Sequence, residues 1–479
     1  MHRRPDLRSR PLQAQLPAGN LLCLLLPLTL LFTGTAVSCQ APDRETYDES
    51  IDATRLRRLY VSSGQELDSD RSLPPVPAAP AAPAPGEDSL RAYQGYALAA
   101  SRPLRRAFAE WLASDEEIAV AGTLPNPRLG WTEFLREVET RTGPQARRLG
   151  VAQRIPWAGK RQALSDAAAG AATVAWHRVE AQALATREQV TVAYHDWALL
   201  GTELALAGEQ LELLRQLEPV VQSRILAGGR QEDLLRLQVE IARLENEVSS
   251  LADRDSVLRA RLAAAMSLPD AGLLVRPELR APLPGQLDTA LLVQSALEAN
   301  PELAQAMAEL GRATARLESA ELSRMPDVTV GVDYFVTENG MAGVEGRGED
   351  PVAVSLGIDL PLWRSSYDAA ERAARHRVQA ARLDLDRRQE LLVAEIEAAV
   401  YRLDDSARSM VLFRDTLLPR VGEQLELTLA SYRSGGATLL DLIDTEQQQL
   451  AFERSYWRAC RDWLETRAHL DTLVGEIDR

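Results

Sequence analysis

Two short stretches decide the fold of this chain: Gly130-Trp131-Thr132-Glu133-Phe134 and Gly331-Val332-Asp333-Tyr334-Phe335. They match each other, and the second follows the first by 201 positions, from Gly130 to Gly331. A second match has nearly the same spacing and joins Arg259-Ala260-Arg261-Leu262 to Arg467-Ala468-His469-Leu470. Because self-similarity at a fixed spacing marks repeated structural units, the sequence predicts two copies of one unit, residues 88–283 and 284–479.

Each copy contains helical patterns that are too long for a compact globule. The first runs from about Gly159 to Ile225 and the second from about Tyr367 to Tyr432. At about 1.5 Å per residue, a helix of some 60 residues reaches about 90 Å. A return helix follows in each copy, and in the second copy we expect it over 439–474.

The return helix of the first copy carries a coiled-coil pattern. Its apolar positions alternate steps of four and three, with Asp255 as the one interruption, at Leu237, Ile241, Leu244, Val248, Leu251, Leu258 and Leu262. This heptad seam predicts packing against a neighbouring helix. Glycine pairs, Gly228-Gly229 and Gly435-Gly436, separate the outgoing from the returning helices and predict the tips of two helical hairpins.

Two strands are predicted in each copy, at about 127–135 and 148–156 in the first and about 327–336 and 351–361 in the second. Apolar residues alternate with small or polar ones along these segments, which predicts one apolar and one polar face. Arg154, Asp333 and Asp359 fall on the polar face. Polar, glycine-containing loops join the strands, from Arg136 to Arg148 and from Thr337 to Asp350.

Past residue 38 no apolar run approaches the ~18 residues that a membrane-spanning helix needs. Four amphipathic strands cannot close a barrel alone, and other copies of the chain must then supply the missing strands. Three copies of the chain would give twelve strands. The alternative is a pair of soluble hairpins with one face on a core. The predicted fold class is mainly α with a minor β part.

The N-terminus predicts export. Residues 1–38 have the arginines, the apolar core and the small residues of a secretory signal peptide. Cys39 directly follows the small residues, so it is a candidate for lipid acylation, with a chance cysteine as the alternative. Residues 39–87 include a proline-rich run from Leu73 to Gly86 that predicts a semi-rigid tether.

Composition excludes several classes of function. The net charge of -15 argues against a nucleic-acid surface. The histidines stand on separate helical stretches and the methionines are dispersed, so no metal or cofactor site is predicted. No nucleophile and base motif is present, and we do not expect an enzyme.

The chain resembles the outer membrane efflux proteins of the TolC-like type over roughly residues 90–479. Five stretches carry the resemblance, namely Leu124-Pro125-Asn126-Pro127, Gln153-Arg154-Ile155-Pro156-Trp157-Ala158-Gly159-Lys160-Arg161, Asn300-Pro301-Glu302-Leu303, Leu360-Pro361-Leu362-Trp363 and the segment from Tyr432 to Gly475. The junction Pro156-Trp157-Ala158-Gly159-Lys160 and the lipoprotein-like start are similar to heavy-metal and drug efflux members.

The resemblance implies a homotrimer in the outer membrane of a Gram-negative bacterium, in contact with its lipid and extending into the periplasm. The trimer would form a twelve-stranded β-barrel continued by an α-helical tunnel. It also implies a passive exit channel of a tripartite efflux or type I secretion system. The implied partners are a periplasmic adaptor and an inner-membrane transporter of the RND or ABC type. A different class that the helical hairpins leave open is the periplasmic adaptor lipoprotein, which has one hairpin flanked by soluble β domains.

In this family a tyrosine, a glycine and two aspartates at a fixed spacing belong to the periplasmic aperture, and here Tyr432, Gly435, Asp441 and Asp444 match them. Asp233, at the equivalent tip of the first copy, would add to the ring. Like carboxylates brought together by threefold symmetry attract cations. The alternative interpretation is that the two aspartates of the second copy are acids favoured at a helix start.

The chain departs from some relatives at Ala437, where they hold an arginine that latches the closed aperture. Arg230 or Arg433 is the expected substitute.

Overall fold

The computed structural model describes residues 87–226, 228–340, 345–346 and 348–475. The signal peptide, Cys39 and nearly all of the tether lie outside these residues. Helix dominates the described chain, with one small sheet, and this agrees with the predicted fold class at that coarse level.

From residue 87 to the midpoint of the chain, the described residues form four helices and two strands. The helices are α1 (Glu87–Ala100), α2 (Arg102–Gly122), α3 (Lys160–Leu226) and α4 (Gln231–Ala265), and the strands β1 (Arg128–Val138) and β2 (Gln145–Ile155) lie between α2 and α3. A 3₁₀ turn at Ala271–Leu273 follows α4. The 67 residues of α3 confirm the predicted long helix, which measures about 100 Å at the standard rise.

The second half presents its elements in the same order. They are α5 (Thr289–Ala299), α6 (Pro301–Leu322), β3 (Val328–Thr337), β4 (Val352–Ile358), α7 (Arg364–Leu412), α8 (Leu418–Ser434) and α9 (Leu439–Val474). One turn of π-helix, Phe413–Leu417, joins α7 to α8. The sequence pattern predicted an unbroken helix there. A shared order of elements does not test common descent, so the internal duplication stays a prediction.

Both hairpin tips lie at the predicted glycines. Gly228 and Gly435 have positive φ angles, 102° and 86°, which residues with a side chain rarely adopt. A Cβ on Gly436 would lie 2.8 Å from the Ser431 hydroxyl oxygen, so the second turn also lacks room for a larger residue.

The heptad seam of α4 faces the protein interior as predicted. Leu237, Leu244, Leu251 and Leu262 are buried, and Ile241, Val248 and Leu258 pack beside them. Asp255 interrupts the seam because it accepts hydrogen bonds there, from Trp197 Nε1 at 2.8 Å and from Arg276 Nη2 at 2.6 Å. Burial alone would raise the pKa of the Asp255 carboxyl, but these bonds more than offset it and keep that pKa below its usual value.

The four strands form one antiparallel sheet in the order β1-β2-β3-β4. Its register places Leu129, Val151, Val332 and Val354 in one row. All four side chains are exposed, as far as 77% for Val354. Gly331 and Asp333, which alternate with these positions, are buried on the opposite face. One apolar and one polar face are therefore present as predicted.

The strand boundaries differ from the prediction at two places. The first hairpin loop is only 139–144, because β1 and β2 stay paired to Val138 and Gln145 across an irregularity in the register. Polar residues occur within these strands, and Arg147 Nε pairs across them with Glu133 Oε1 at 3.2 Å. Because the sequence prediction assigned polar residues at the end of the ladder to the loop, it ended the strands too early. The last strand ends at Ile358, since Pro361 has no backbone N–H to continue a ladder.

Among the described residues, no helix combines the length and the apolar character that crossing a membrane requires.

Candidate functional site

The tip of the second hairpin is built by local backbone chemistry. Gly435 donates its N–H to the Tyr432 carbonyl at 3.1 Å, and Gly436 donates to the Ser431 carbonyl at 2.8 Å. These bonds satisfy the last carbonyls of α8 in the manner of a glycine C-cap. The tip therefore turns within four residues, and Thr438 then starts α9.

Tyr432 lies inside the tip and not on its surface. Its side chain is 2% exposed and packs in the core that includes Leu237, Leu439 and Leu442. The Arg224 guanidinium lies over the ring, 4.3 Å from its centroid. A cation over an aromatic face is attracted by the ring quadrupole.

Arg224 connects the two hairpins, because it belongs to the last turn of α3 while Tyr432 belongs to α8. Gly435 lies beside it, and a Cβ at that position would be 3.6 Å from Arg224 Nη2. Sequence analysis missed Arg224. A basic residue in the last helical turn before a glycine tip was the available signal, but it also fits a simple interaction with the helix dipole.

Asp441 forms a capping box with Thr438. Its Oδ2 accepts the Thr438 backbone N–H at 2.9 Å and the Thr438 hydroxyl at 2.7 Å, and its own N–H donates to that hydroxyl at 3.2 Å. The backbone hydrogen bond is the main reason that the pKa of the Asp441 carboxyl is lowered. The hydrogen bonds of Asp441 thus agree with the helix-start interpretation. Its carboxylate is also exposed and ionised.

The other two aspartates, Asp444 and Asp233, also lie near the N-terminal ends of their helices. Asp444 is exposed one turn after Asp441, and Asp233 is half-buried in the first turn of α4. Within the described part of the chain, no hydrogen bond or ion pair joins Asp233 to either of them. In a single protomer the structure therefore brings Tyr432, Gly435 and Arg224 together, and it leaves the three carboxylates separate.

The two arginines expected to replace the family's latch, Arg230 and Arg433, both lie near the hairpin tips. Arg230 is paired with Glu232, two residues along its own chain segment. Arg433 is exposed at the end of α8.

A buried carboxyl that the sequence pattern did not single out lies about two helical turns into α9 from the tip. Glu446 is 7% exposed on α9, and burial raises its pKa to about 7.

The polar face of the sheet is lined with ion pairs. Asp333 Oδ2 accepts from Arg148 Nη2 at 2.8 Å. Arg154 Nη2 lies 2.7 Å from Asp327 Oδ2 and 3.4 Å from Asp359 Oδ2. The three residues predicted for this face, Arg154, Asp333 and Asp359, are therefore all on it, and each has an ionic partner.

Asp327 is the centre of this arrangement at the base of the sheet, and sequence analysis missed it. Besides Arg154, its carboxylate accepts from Lys160 Nζ at 2.7 Å and from the Trp157 N–H at 3.1 Å. Lys160 also donates to the Met325 carbonyl at 2.7 Å. These bonds tie the start of β3 to the segment that leads from β2 into α3, so they fix the sheet on the long helices.

No group of three or more histidine, cysteine or acidic side chains suited to a metal occurs among the described residues.

Comparison with known proteins extends these observations. Residues 292–476 match the family model of the outer membrane efflux protein. The second half of the chain is therefore similar to the outer membrane efflux protein family.

The chain also has a curated relative in Nodulation protein T of Rhizobium leguminosarum bv. trifolii. The two are 23% identical over 331 residues, which cover 65% of this chain and 67% of the relative. Among solved structures, VceC of Vibrio cholerae is 18% identical with a TM-score of 0.68, covering 81% of this chain and 96% of VceC. The open state of the MtrE outer membrane channel of Neisseria gonorrhoeae is 19% identical with a TM-score of 0.64, covering 81% of this chain and 88% of MtrE. These likenesses show the fold.

Proposed function

We propose that this protein is the outer-membrane exit channel of a tripartite efflux or type I secretion system, and that it conducts substrate passively as a homotrimer. The observation that carries the proposal is the open four-stranded sheet with one exposed apolar face and one ion-paired polar face. An apolar band outside and a polar interior are what a transmembrane barrel requires. Three copies of four strands make a twelve-stranded barrel.

The hairpins α3–α4 and α7–α9 form the periplasmic tunnel in this proposal. A periplasmic adaptor docks on the hairpin tips, and an inner-membrane transporter of the RND or ABC type supplies the energy. These partners follow from the resemblance to the family and not from a contact in this chain. The protein itself is not an enzyme, since a conduit needs only a wall and a gate.

The adaptor alternative is less well supported. An adaptor has one hairpin between soluble β domains. The described part of this chain has two hairpins and one sheet, and the strands of that sheet lie in pairs between α2 and α3 and between α6 and α7. The family match over 292–476 also favours the channel.

Reconstitution tests the function. Detergent-extracted protein is expected to sediment as a trimer plus bound detergent and to form ion-conducting pores in planar bilayers. A monodisperse monomer without pore activity would refute the proposal.

The lipid anchor at Cys39 is part of the same proposal. Mass spectrometry of the mature N-terminus decides it, and an unmodified Cys39 in protein from the native membrane would contradict acylation.

We further propose that Arg224 and Tyr432 hold the periplasmic aperture closed in place of the family's arginine latch. The contact joins one hairpin to the other beside Gly435, so spreading the tips would break it. At about 0.5 kcal/mol for each cation–π contact, the lower end of the usual range, three contacts bias a trimer towards the closed state by about 1.5 kcal/mol, or roughly tenfold.

Replacing Arg224 with glutamine should therefore raise the open probability of single channels about tenfold. The matched control is Arg433→Gln, which removes an exposed arginine from the same tip. Equal gating of the two variants and the wild type would show that Arg224 is not a latch.

A further inference from the structure

Three arginines follow the polar face of the sheet from its base to its loop end. Arg128 of β1 shares a register row with Ala152 and Ser355, Arg154 lies towards the base and Arg148 towards the hairpin loops. The same face also carries three carboxylates, those of Asp327, Asp333 and Asp359, so the formal charges of these six groups cancel. The difference in burial between the arginine and the aspartate side chains then determines which sign of charge is accessible to water and solutes.

The pair at the loop end exposes its arginine. The Arg148 side chain is 46% exposed, whereas that of its partner Asp333 is 12% exposed. The carboxylate lies directly over Gly150, since a Cβ on that glycine would be 2.1 Å from Asp333 Oδ1. The acid is thus held against the backbone, and the guanidinium covers it.

The cluster at the base has the same arrangement. The Arg154 side chain is 52% exposed, and that of Asp327 is 8% exposed beneath it. Lys160, the second cation on Asp327, is itself largely buried. Asp359 is the accessible acid in this cluster, with 61% of its side chain exposed.

Arg128 adds an exposed cation between these two positions. It makes no ion pair with another described residue, and the small residues of its row do not cover it. Of the six groups named, three guanidinium groups and one carboxylate are thus accessible on this face of each protomer. A trimer would present nine and three.

We infer that the barrel lumen is an anion-attracting vestibule in which Arg128, Arg148 and Arg154 favour anionic solutes, multivalent ones most of all. The inference rests on the proposed function, in which the polar face lines the barrel. A lumen surrounded by the low-dielectric barrel wall and lipid focuses the field of such rings, and rings of arginine are a known way to select anions. The vestibule would then be opposite in charge to the carboxylates at the hairpin tips.

Block by a small multivalent anion tests the vestibule without involving the aperture. Tripolyphosphate is added to the loop side of single channels in planar bilayers, and its apparent affinity is measured for the wild type, Arg128→Gln and the double variant Arg148→Gln/Asp333→Asn. The double variant leaves the formal charge unchanged and leaves no buried carboxylate unpaired. It therefore separates accessible charge from net charge.

Arg147→Gln is the matched control. Arg147 precedes Arg148 in β2 but points to the other face, where it pairs with Glu133. A unit charge about 7 Å from an ion in water changes the local concentration of a monovalent ion about two- to threefold. We therefore expect both lumenal variants to weaken tripolyphosphate block at least threefold and Arg147→Gln to leave it unchanged.

Equal block of all four proteins, or no block of the wild type, would overturn the vestibule while pore formation upholds the proposed channel. Failure of the wild type to form pores would instead refute the channel and the vestibule with it. If the double variant does not assemble, Arg128→Gln alone decides, because its removal leaves no buried acid without a partner. Arg128→Lys, which keeps the charge, should retain wild-type block.

Discussion

Arginine in place of Val354 should abolish assembly of the trimer in the outer membrane. Val354 is 77% exposed on β4 and belongs to the apolar row with Leu129, Val151 and Val332. An arginine near the middle of the lipid face of a barrel costs about 2–4 kcal/mol. Threefold symmetry makes the total about 6–12 kcal/mol, which is comparable with the whole stability of many folded domains.

The neighbouring residue provides the control. Ala353 points to the opposite face, where its register partner is Asp333. Arginine at that position meets water and a carboxylate, so Ala353→Arg should still assemble. Heat-modifiable migration of the trimer and fractionation of the outer membrane measure both variants.

The comparison of the two variants separates the lipid-facing assignment from general damage to the strand. If Val354→Arg assembles as well as Ala353→Arg, the apolar face does not contact lipid. If only Ala353→Arg fails, the two faces have been assigned the wrong way round.

The helices were predictable because their ends are fixed by neighbouring residues. The predicted return helix over 439–474 matches α9, which begins after Thr438 and ends before Gly475. An N-cap threonine and a glycine with positive φ are signals within a few residues of the boundary they set. The heptad seam of α4 was equally readable, since a helix face repeats along the chain.

Contacts between distant segments were not predictable in this way. The Asp327 cluster joins residues more than 160 positions apart, such as Lys160 and Asp327. Arg224 reaches Tyr432 from the other hairpin. No local pattern encodes such partners, because many arginines and aspartates of this chain stand in similar sequence surroundings.

The π-helical turn is a further example. Phe413–Leu417 has an ordinary helical composition, and the sequence pattern continues through it. In the structure the Phe413 ring packs on Phe452 of α9, with 5.9 Å between the ring centroids. Since a π turn inserts a residue without changing the faces on either side, tertiary packing and not local preference determines its place.

Neutralising Asp441 and Asp444 together should remove most of the block that divalent cations exert from the periplasmic side. Threefold symmetry at the tip of the second hairpin would place six carboxylates around a narrow mouth. A divalent cation about 6 Å from one carboxylate is attracted by about 1.4 kcal/mol even in water, so the six groups together change binding by several kcal/mol after screening. The double variant Asp441→Asn/Asp444→Asn should weaken block about 100-fold or more in planar bilayers.

The choice of asparagine separates charge from helix capping. In Asp441→Asn the new amide keeps a side-chain oxygen that can accept the Thr438 N–H, which Asp441 Oδ2 accepts at 2.9 Å, so α9 keeps its start while the charge is lost. Thr438→Ala does the reverse, since it removes the hydroxyl of the capping box and keeps both carboxylates. Loss of a cap costs about 1 kcal/mol of helix stability, and we expect it to leave cation block intact.

These two variants decide between the two interpretations of the aspartates. If Thr438→Ala weakens block as much as the double variant does, the aspartates act through the helix start, and their charge does not form the mouth of the channel. If neither variant changes block, the narrowest cation-binding point lies elsewhere. The Asp441 carboxylate accepts the capping hydrogen bonds and is also exposed to solvent. A structural role at the helix start and a role at the aperture are therefore compatible. Variants that change the charge and the cap separately are needed to assign the role at the aperture.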